Sequence, residues 1–240
     1  MKVIITNNYD EMSKEAFNIM IQVIKENPKA VIGLATGTTP LRLYNLLIKD
    51  HQENGTSYKN IKTLNLDEYF GLDITSEDSY IYFMRKNLFN HIDIDLNNTY
   101  IENGKAENPE KECERYNKLI HENQQDIQLL GIGSDGHIAF NEPNTPFGSE
   151  THIAILEDST IKDNSRLFKN YSEVPTKAYT MGLKNIMNAK QILIIANGKN
   201  KADAVNKLLN GPVTEKVPAS ILQRHPNCTL IIDKDAASLL

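Results

Sequence analysis

Cysteine is scarce in this 240-residue sequence, with only Cys113 and Cys228, far apart and in no C-x-x-C pair. That spacing indicates neither a disulfide framework nor a cysteine zinc site. Long apolar runs are also missing. The amino terminus, Met-Lys-Val-Ile-Ile-Thr, is too short for a signal peptide, and no stretch is long enough to span a bilayer. Positive charge is in deficit, the formal net charge being −5, which argues against nucleic acid or an anionic membrane as partner. The default location is the cytoplasm and the expected partner is a small molecule. If that molecule is phosphorylated, it needs a locally basic pocket. No internal repeat, low-complexity stretch or linker interrupts the chain, so residues 1–240 are expected to form one domain.

What is present is ordinary for a globular protein, with 40% hydrophobic and 24% charged residues. Val3–Thr6, Val31–Ala35, Ile61–Leu66, Ile127–Ile132, Gln191–Ala196 and Cys228–Ile232 read as strands. Between them lie helical patterns. Asp10–Glu26 carries Met12, Ala16, Ile19, Met20, Val23 and Ile24 at core-facing spacing. A second helix follows Thr39, its expected N-cap, with Pro40 in the first turn. Others are predicted at Tyr80–Phe89, Pro109–Glu122 and Ala202–Leu209, with a helical turn at Pro218–Gln223. Residues 97–108 read as a polar loop and His152–Leu156 as a possible strand. Polar, weakly periodic residues fill 157–180, and a lid is expected within 144–180. Strands alternating with helices predict an α/β fold, a doubly wound, mainly parallel sheet with helices on both faces in the Rossmann manner.

Three strand ends carry polar groups, where open α/β sheets hold their ligands. Thr36-Gly-Thr-Thr-Pro40 feeds a helix, so its backbone N–H groups are suited to an anion, though a plain strand-to-helix turn fits equally. Asn65-Leu-Asp-Glu-Tyr69 offers adjacent carboxylates, though taken by itself Asp67 reads first as a turn cap. The densest is Gly131-Ile-Gly-Ser-Asp-Gly-His-Ile-Ala-Phe-Asn-Glu-Pro143. Its glycines match a dinucleotide fingerprint, but that motif must open a helix, and Pro143 and Pro146 forbid a long one here. A tight turn carrying Asp135, His137 and Glu142 remains. Two acids beside an imidazole make a proton-handling set.

The turn G-I-G-S-D-G-H-I-A-F-N-E-P closely resembles the signature of the glucosamine-6-phosphate deaminases, which share a superfamily with the 6-phosphogluconolactonases. N-x-D-E-Y resembles the deaminases' second signature, and T-G-T-T-P their sugar-phosphate loop, with Thr38 where a second glycine is usual. The resemblance implies conversion of glucosamine 6-phosphate and water to fructose 6-phosphate and ammonia, with no metal or organic cofactor. It makes Asp67 the base at carbon 2 and assigns substrate-phosphate binding to Thr36, Gly37, Thr38, Thr39, Arg166 and Lys201. A lactonase using the same histidine, and a non-catalytic sugar-phosphate sensor, are the alternatives. Longer members of the family are hexamers activated by N-acetylglucosamine 6-phosphate through a basic R-x-K-T segment. Here His152-Ile-Ala-Ile155 stands in its place, and the chain ends soon after its last strand. A monomer or small homo-oligomer without that activation is therefore expected.

Overall fold

The computed structural model describes residues 1–165, 168, 170 and 173–240. Seven strands form a wholly parallel sheet: β1 (Lys2–Thr6), β2 (Val31–Leu34), β3 (Lys62–Asn65), β5 (Thr99–Tyr100), β6 (Ile127–Leu130), β9 (Ile192–Ala196) and β10 (Cys228–Asp233). Their spatial order is β1-β10-β9-β6-β2-β3-β5. The central strands β6, β9 and β10 are buried throughout, as a sheet covered on both faces requires.

That order contains a switch. From β2 the chain advances outward to β3 and β5, whereas from β6 it advances the opposite way, to β9 and β10. Right-handed crossovers therefore put the helices of the two halves on opposite faces. Helix α1 (Tyr9–Glu26) packs on α2 (Leu41–Asn54) and on β10. The crevice at the switch lies between the carboxyl ends of β2 and β6, the place where doubly wound sheets bind ligands.

The mainly parallel, doubly wound expectation holds, and helix α4 (Pro109–Glu122) spans the predicted residues. Several details differ. Helix α2 begins at Leu41 with Pro40, not Thr39, at the N-cap, and no side chain of the loop caps it. The polar loop 97–108 contains β5, an edge strand too short to show a period. A second sheet was not foreseen, although a strand at His152–Leu156 was. It is antiparallel, ordered β4-β8-β7, from β4 (Asp67–Tyr69), β7 (His152–Ile155) and β8 (Lys177–Thr180). Residues 157–180, expected to be irregular, supply β8 and the helix α5 (Asp158–Asn164). Two short helices complete the carboxyl half, α6 (Leu183–Met187), also unforeseen, and α7 (Ala202–Asn210). Between β4 and β5 lies α3 (Tyr80–Asn87), capped by the Ser79 hydroxyl on Tyr82 N–H.

Candidate functional site

The turn after β6 is held by its own backbone. Gly133 N–H donates to His137 O at 2.9 Å and Gly136 N–H to Gly133 O at 3.1 Å. Gly136 sits at φ +93°, a conformation other residues rarely adopt, and a Cβ on Gly133 would lie 2.3 Å from the His137 ring. The turn is thus built around the imidazole. Ala139 is also left-handed, at φ 52°, and strained backbone of this kind concentrates at functional sites.

Asp135 Oδ1 accepts from His137 N–H at 3.0 Å and lies 2.7 Å from His137 Nδ1. Glu142 Oε2 lies 3.6 Å from the same nitrogen. The two acids differ in environment. Burial opposes the charge on Asp135, but bonding to His137 and its charge prevail and hold the carboxyl at about 2. Glu142 is only 6% exposed, and burial raises its pKa against the pull of His137. His137 Nδ1 therefore faces one acid held ionised and a second whose charged form burial disfavours.

Asp67 is brought to this turn through β8. It pairs with Thr180 across the antiparallel ladder, and Phe140 N–H donates to the Thr180 hydroxyl at 3.0 Å. Asn141, fully buried, donates its amide to both Ile138 O and Met181 O. Thr180 thus fastens β4 and the turn to one strand. Neither Thr180 nor Asn141 was singled out in the sequence, since a threonine in a weakly periodic stretch gives no signal.

Asp67 is 7% exposed, and burial, aided by the charge of Glu68, pushes its pKa up to about 8. Glu68 points elsewhere. Its carboxylate accepts from the N–H groups of Tyr69, Tyr80 and Ile81 at 2.8–3.1 Å, so it closes the amino end of α3. Burial raises Glu68 to about 7 although those three donors favour its charge. The adjacent pair divides: Glu68 is tied into the start of α3, whereas Asp67 sits on β4 opposite Thr180.

The loop after β2 lies close by, for Tyr80 is influenced by both Thr36 and Asp67. Gly37 takes φ +93°. Tyr9, at the start of α1, holds the loop from outside. Its hydroxyl donates to Thr39 O at 3.0 Å, lies 3.2 Å from Thr38 O, and accepts from Arg42 N–H at 3.1 Å. A cleft of about 410 Å³ lined by Tyr9, Thr38, Arg42 and Asn197 joins this loop to the end of β9. Lys201 follows four residues after Asn197, at the N-cap of α7. Arg166, the other expected phosphate cation, lies outside the described residues.

Comparison with known proteins follows from this geometry. The sequence profile of the glucosamine-6-phosphate isomerases/6-phosphogluconolactonase family matches residues 7–231. A protein of Clostridium novyi (strain NT) named glucosamine-6-phosphate deaminase is 52% identical over 241 residues, covering 100% of both chains. Another so named, from Halalkalibacterium halodurans, is 52% identical over 98% of this chain and 96% of its own. A solved structure described as a monomeric glucosamine-6-phosphate deaminase superposes with a TM-score of 0.99 at 47% identity, covering 100% of both chains. A 6-phosphogluconolactonase from Trypanosoma cruzi shares the fold, with a TM-score of 0.81 at 21% identity over 100% of this chain and 96% of its own.

Proposed function

The chain belongs to the glucosamine-6-phosphate isomerase and 6-phosphogluconolactonase family, and from that premise we propose that it converts glucosamine 6-phosphate and water to fructose 6-phosphate and ammonia. Full-length identity near 50% to proteins named for this activity favours it over lactone hydrolysis. The observation that carries the chemical assignment is the pair of acids at one imidazole nitrogen, with Asp67 tied to the same turn through Thr180, the three in unlike environments. Titratable groups driven apart in pKa divide acid and base work between them.

The pyranose opens first, its anomeric hydroxyl losing a proton as the ring oxygen gains one. His137 exchanges these protons, with Asp135 fixing the tautomer at Nδ1 and Glu142 tuning the ring at the same nitrogen. Asp67 then removes the carbon-2 proton of the open-chain aldehyde, and carbon 1 is protonated in turn. The enolamine thereby becomes a carbon-2 imine. Water adds to that imine and ammonia leaves, giving the ketose. A base with pKa near 8 is matched to neutral conditions, strong enough to take a carbon-bound proton yet ionised in part. None of these steps calls on a metal or an organic cofactor.

Thr36, Gly37, Thr38 and Thr39, with Lys201 and Arg166, hold the substrate's phosphate. Binding energy from that remote group then orients carbons 1 and 2 over Asp67. The protein works as a cytoplasmic monomer or small homo-oligomer on a free small molecule, as one domain with the lid within 144–180. Ammonia and fructose 6-phosphate release from glucosamine 6-phosphate is the test. Absence of ammonia with rapid opening of 6-phosphogluconolactone would establish the lactonase instead.

A further inference from the structure

The Asp135–His137–Glu142 cluster has a second capability. One nitrogen and two oxygens, one from each side chain, lie within 4.8 Å of one another. Glu142 Oε2 is buried with no hydrogen-bond partner among the described residues, and it faces His137 Nδ1, whose near neighbour is Asp135 Oδ1. Glu142 Oε1 is committed, accepting from Glu157 N–H at 3.3 Å, so the carboxylate is fixed with Oε2 turned toward the imidazole. A buried carboxylate oxygen aimed at an imidazole nitrogen is short of a cationic or donor partner.

We propose that Asp135, His137 and Glu142 form a binding site for one zinc-class divalent cation, whose occupancy inhibits the enzyme. The inhibitory half rests on the role given to His137 above. The donor set suits zinc, which takes imidazole nitrogen with carboxylate oxygen and, with three protein ligands, keeps a fourth position for water. Bonds of about 2.0–2.2 Å require ligand atoms roughly 3 Å or more apart. The Nδ1–Oε2 distance of 3.6 Å meets this, and the 2.7 Å between Nδ1 and Asp135 Oδ1 needs to open by a few tenths of an ångström. Asp135 is the more exposed acid, with 28% of its side chain accessible, and offers the way in.

Inhibition follows from the tautomer. A cation on Nδ1 leaves Nε2 carrying the ring's proton, and a metal-bound imidazole cannot accept another. The cation sits on the buried edge of the ring, so substrate still enters. Zinc therefore lowers kcat and leaves KM unchanged, unlike a competitor for the sugar-phosphate pocket.

The test strips the purified full chain with EDTA and dialyses it against Zn²⁺ in a non-chelating buffer, measuring bound metal and turnover together. One Zn²⁺ per chain, a proportional fall in kcat and full recovery with EDTA are expected. Glu142→Gln and Asp135→Asn, each checked for folding by its thermal unfolding midpoint, should bind Zn²⁺ at least about tenfold more weakly. Cys113→Ser should bind it as wild type does. Failure of the stripped wild type to bind, or unchanged binding in both acid variants, overturns the site and leaves the deaminase reading standing. Stoichiometric binding with full turnover overturns the inhibition, and with it His137 as the ring-opening group.

Discussion

Asp67 combines two properties seldom found together, near-complete burial and proximity to a functional turn. Its raised pKa of about 8 fixes the direction of a pH effect. Only the carboxylate accepts the carbon-2 proton, so kcat/KM should climb with pH up to about 8 and then level. Asp67→Asn should lower kcat by roughly 10²–10⁴-fold, the usual worth of a general base. It should also stop exchange of the carbon-2 hydrogen with solvent deuterium while substrate still binds; near-normal exchange would remove Asp67 from its role. Glu102 poses a different problem. It is 2% exposed, neither carboxyl oxygen has a hydrogen-bond partner among the described residues, and burial raises its pKa far above the usual range. Asp67, Glu68 and Glu112 add like charge, while Cys113, Tyr116 and Tyr179 sit near enough to be raised by it in turn. A folded pKa above the unfolded one gives stability that is complete below the unfolded value and lost as pH rises through the folded one. Glu102→Gln cannot ionise, so it should unfold at a higher temperature than wild type at pH 8, with little difference at pH 4. Equal midpoints at pH 8 would show that Glu102 finds a charge partner.

Helix α2 begins without a capping side chain from its own loop, and that vacancy is filled from another element. The Tyr9 hydroxyl takes Arg42 N–H and gives its proton to the loop, so one phenol ties α1 to the turn that carries Thr36–Thr39. Tyr9→Phe keeps the ring and removes these bonds, each worth about 0.5–1.5 kcal/mol. A rise in KM of roughly threefold to tenfold is expected, with kcat almost unchanged. Weaker inhibition by inorganic phosphate should accompany it, and unchanged KM would mean that the loop holds its shape unaided. The sequence could not announce this brace, because Tyr9 and Thr39 are thirty residues apart and Tyr9 belongs to no motif. Strand ends were legible for the opposite reason: glycines and carboxylates cluster locally where the chain must turn beside a ligand. The sequence put Asp135, His137 and Glu142 in one turn, and the structure brings them together. How Asp67 joins them was not legible, since β4 is three residues long and its partner β8 lies in a stretch with no clear period. Expectations drawn from apolar periodicity, such as α1 and β10, came within a residue or two of the observed bounds.

At the scale of the whole molecule the question is whether a second phosphosugar can bind and change the first site. By the resemblance read from the N-E-P turn, strand β7 falls where longer members of the family are expected to carry a basic effector-binding segment, and its side chains are unsuited to that task. His152 turns Nδ1 to Glu150 O at 2.8 Å. Ala154 is buried in an apolar cluster with Tyr69, Phe140 and Leu156, where a lysine would need either a paired charge or a route to water. Ile155 is 74% exposed and uncharged. An anionic effector finds no cation on this strand, and a ligand that binds two states equally cannot shift their balance. Initial rate against glucosamine 6-phosphate should therefore be hyperbolic, and added N-acetylglucosamine 6-phosphate should not activate. Sedimentation should give a monomer or small homo-oligomer and not a hexamer. A sigmoid curve made hyperbolic by the effector would mean that cooperativity enters through another surface, because β7 offers the effector's phosphate nothing to hold.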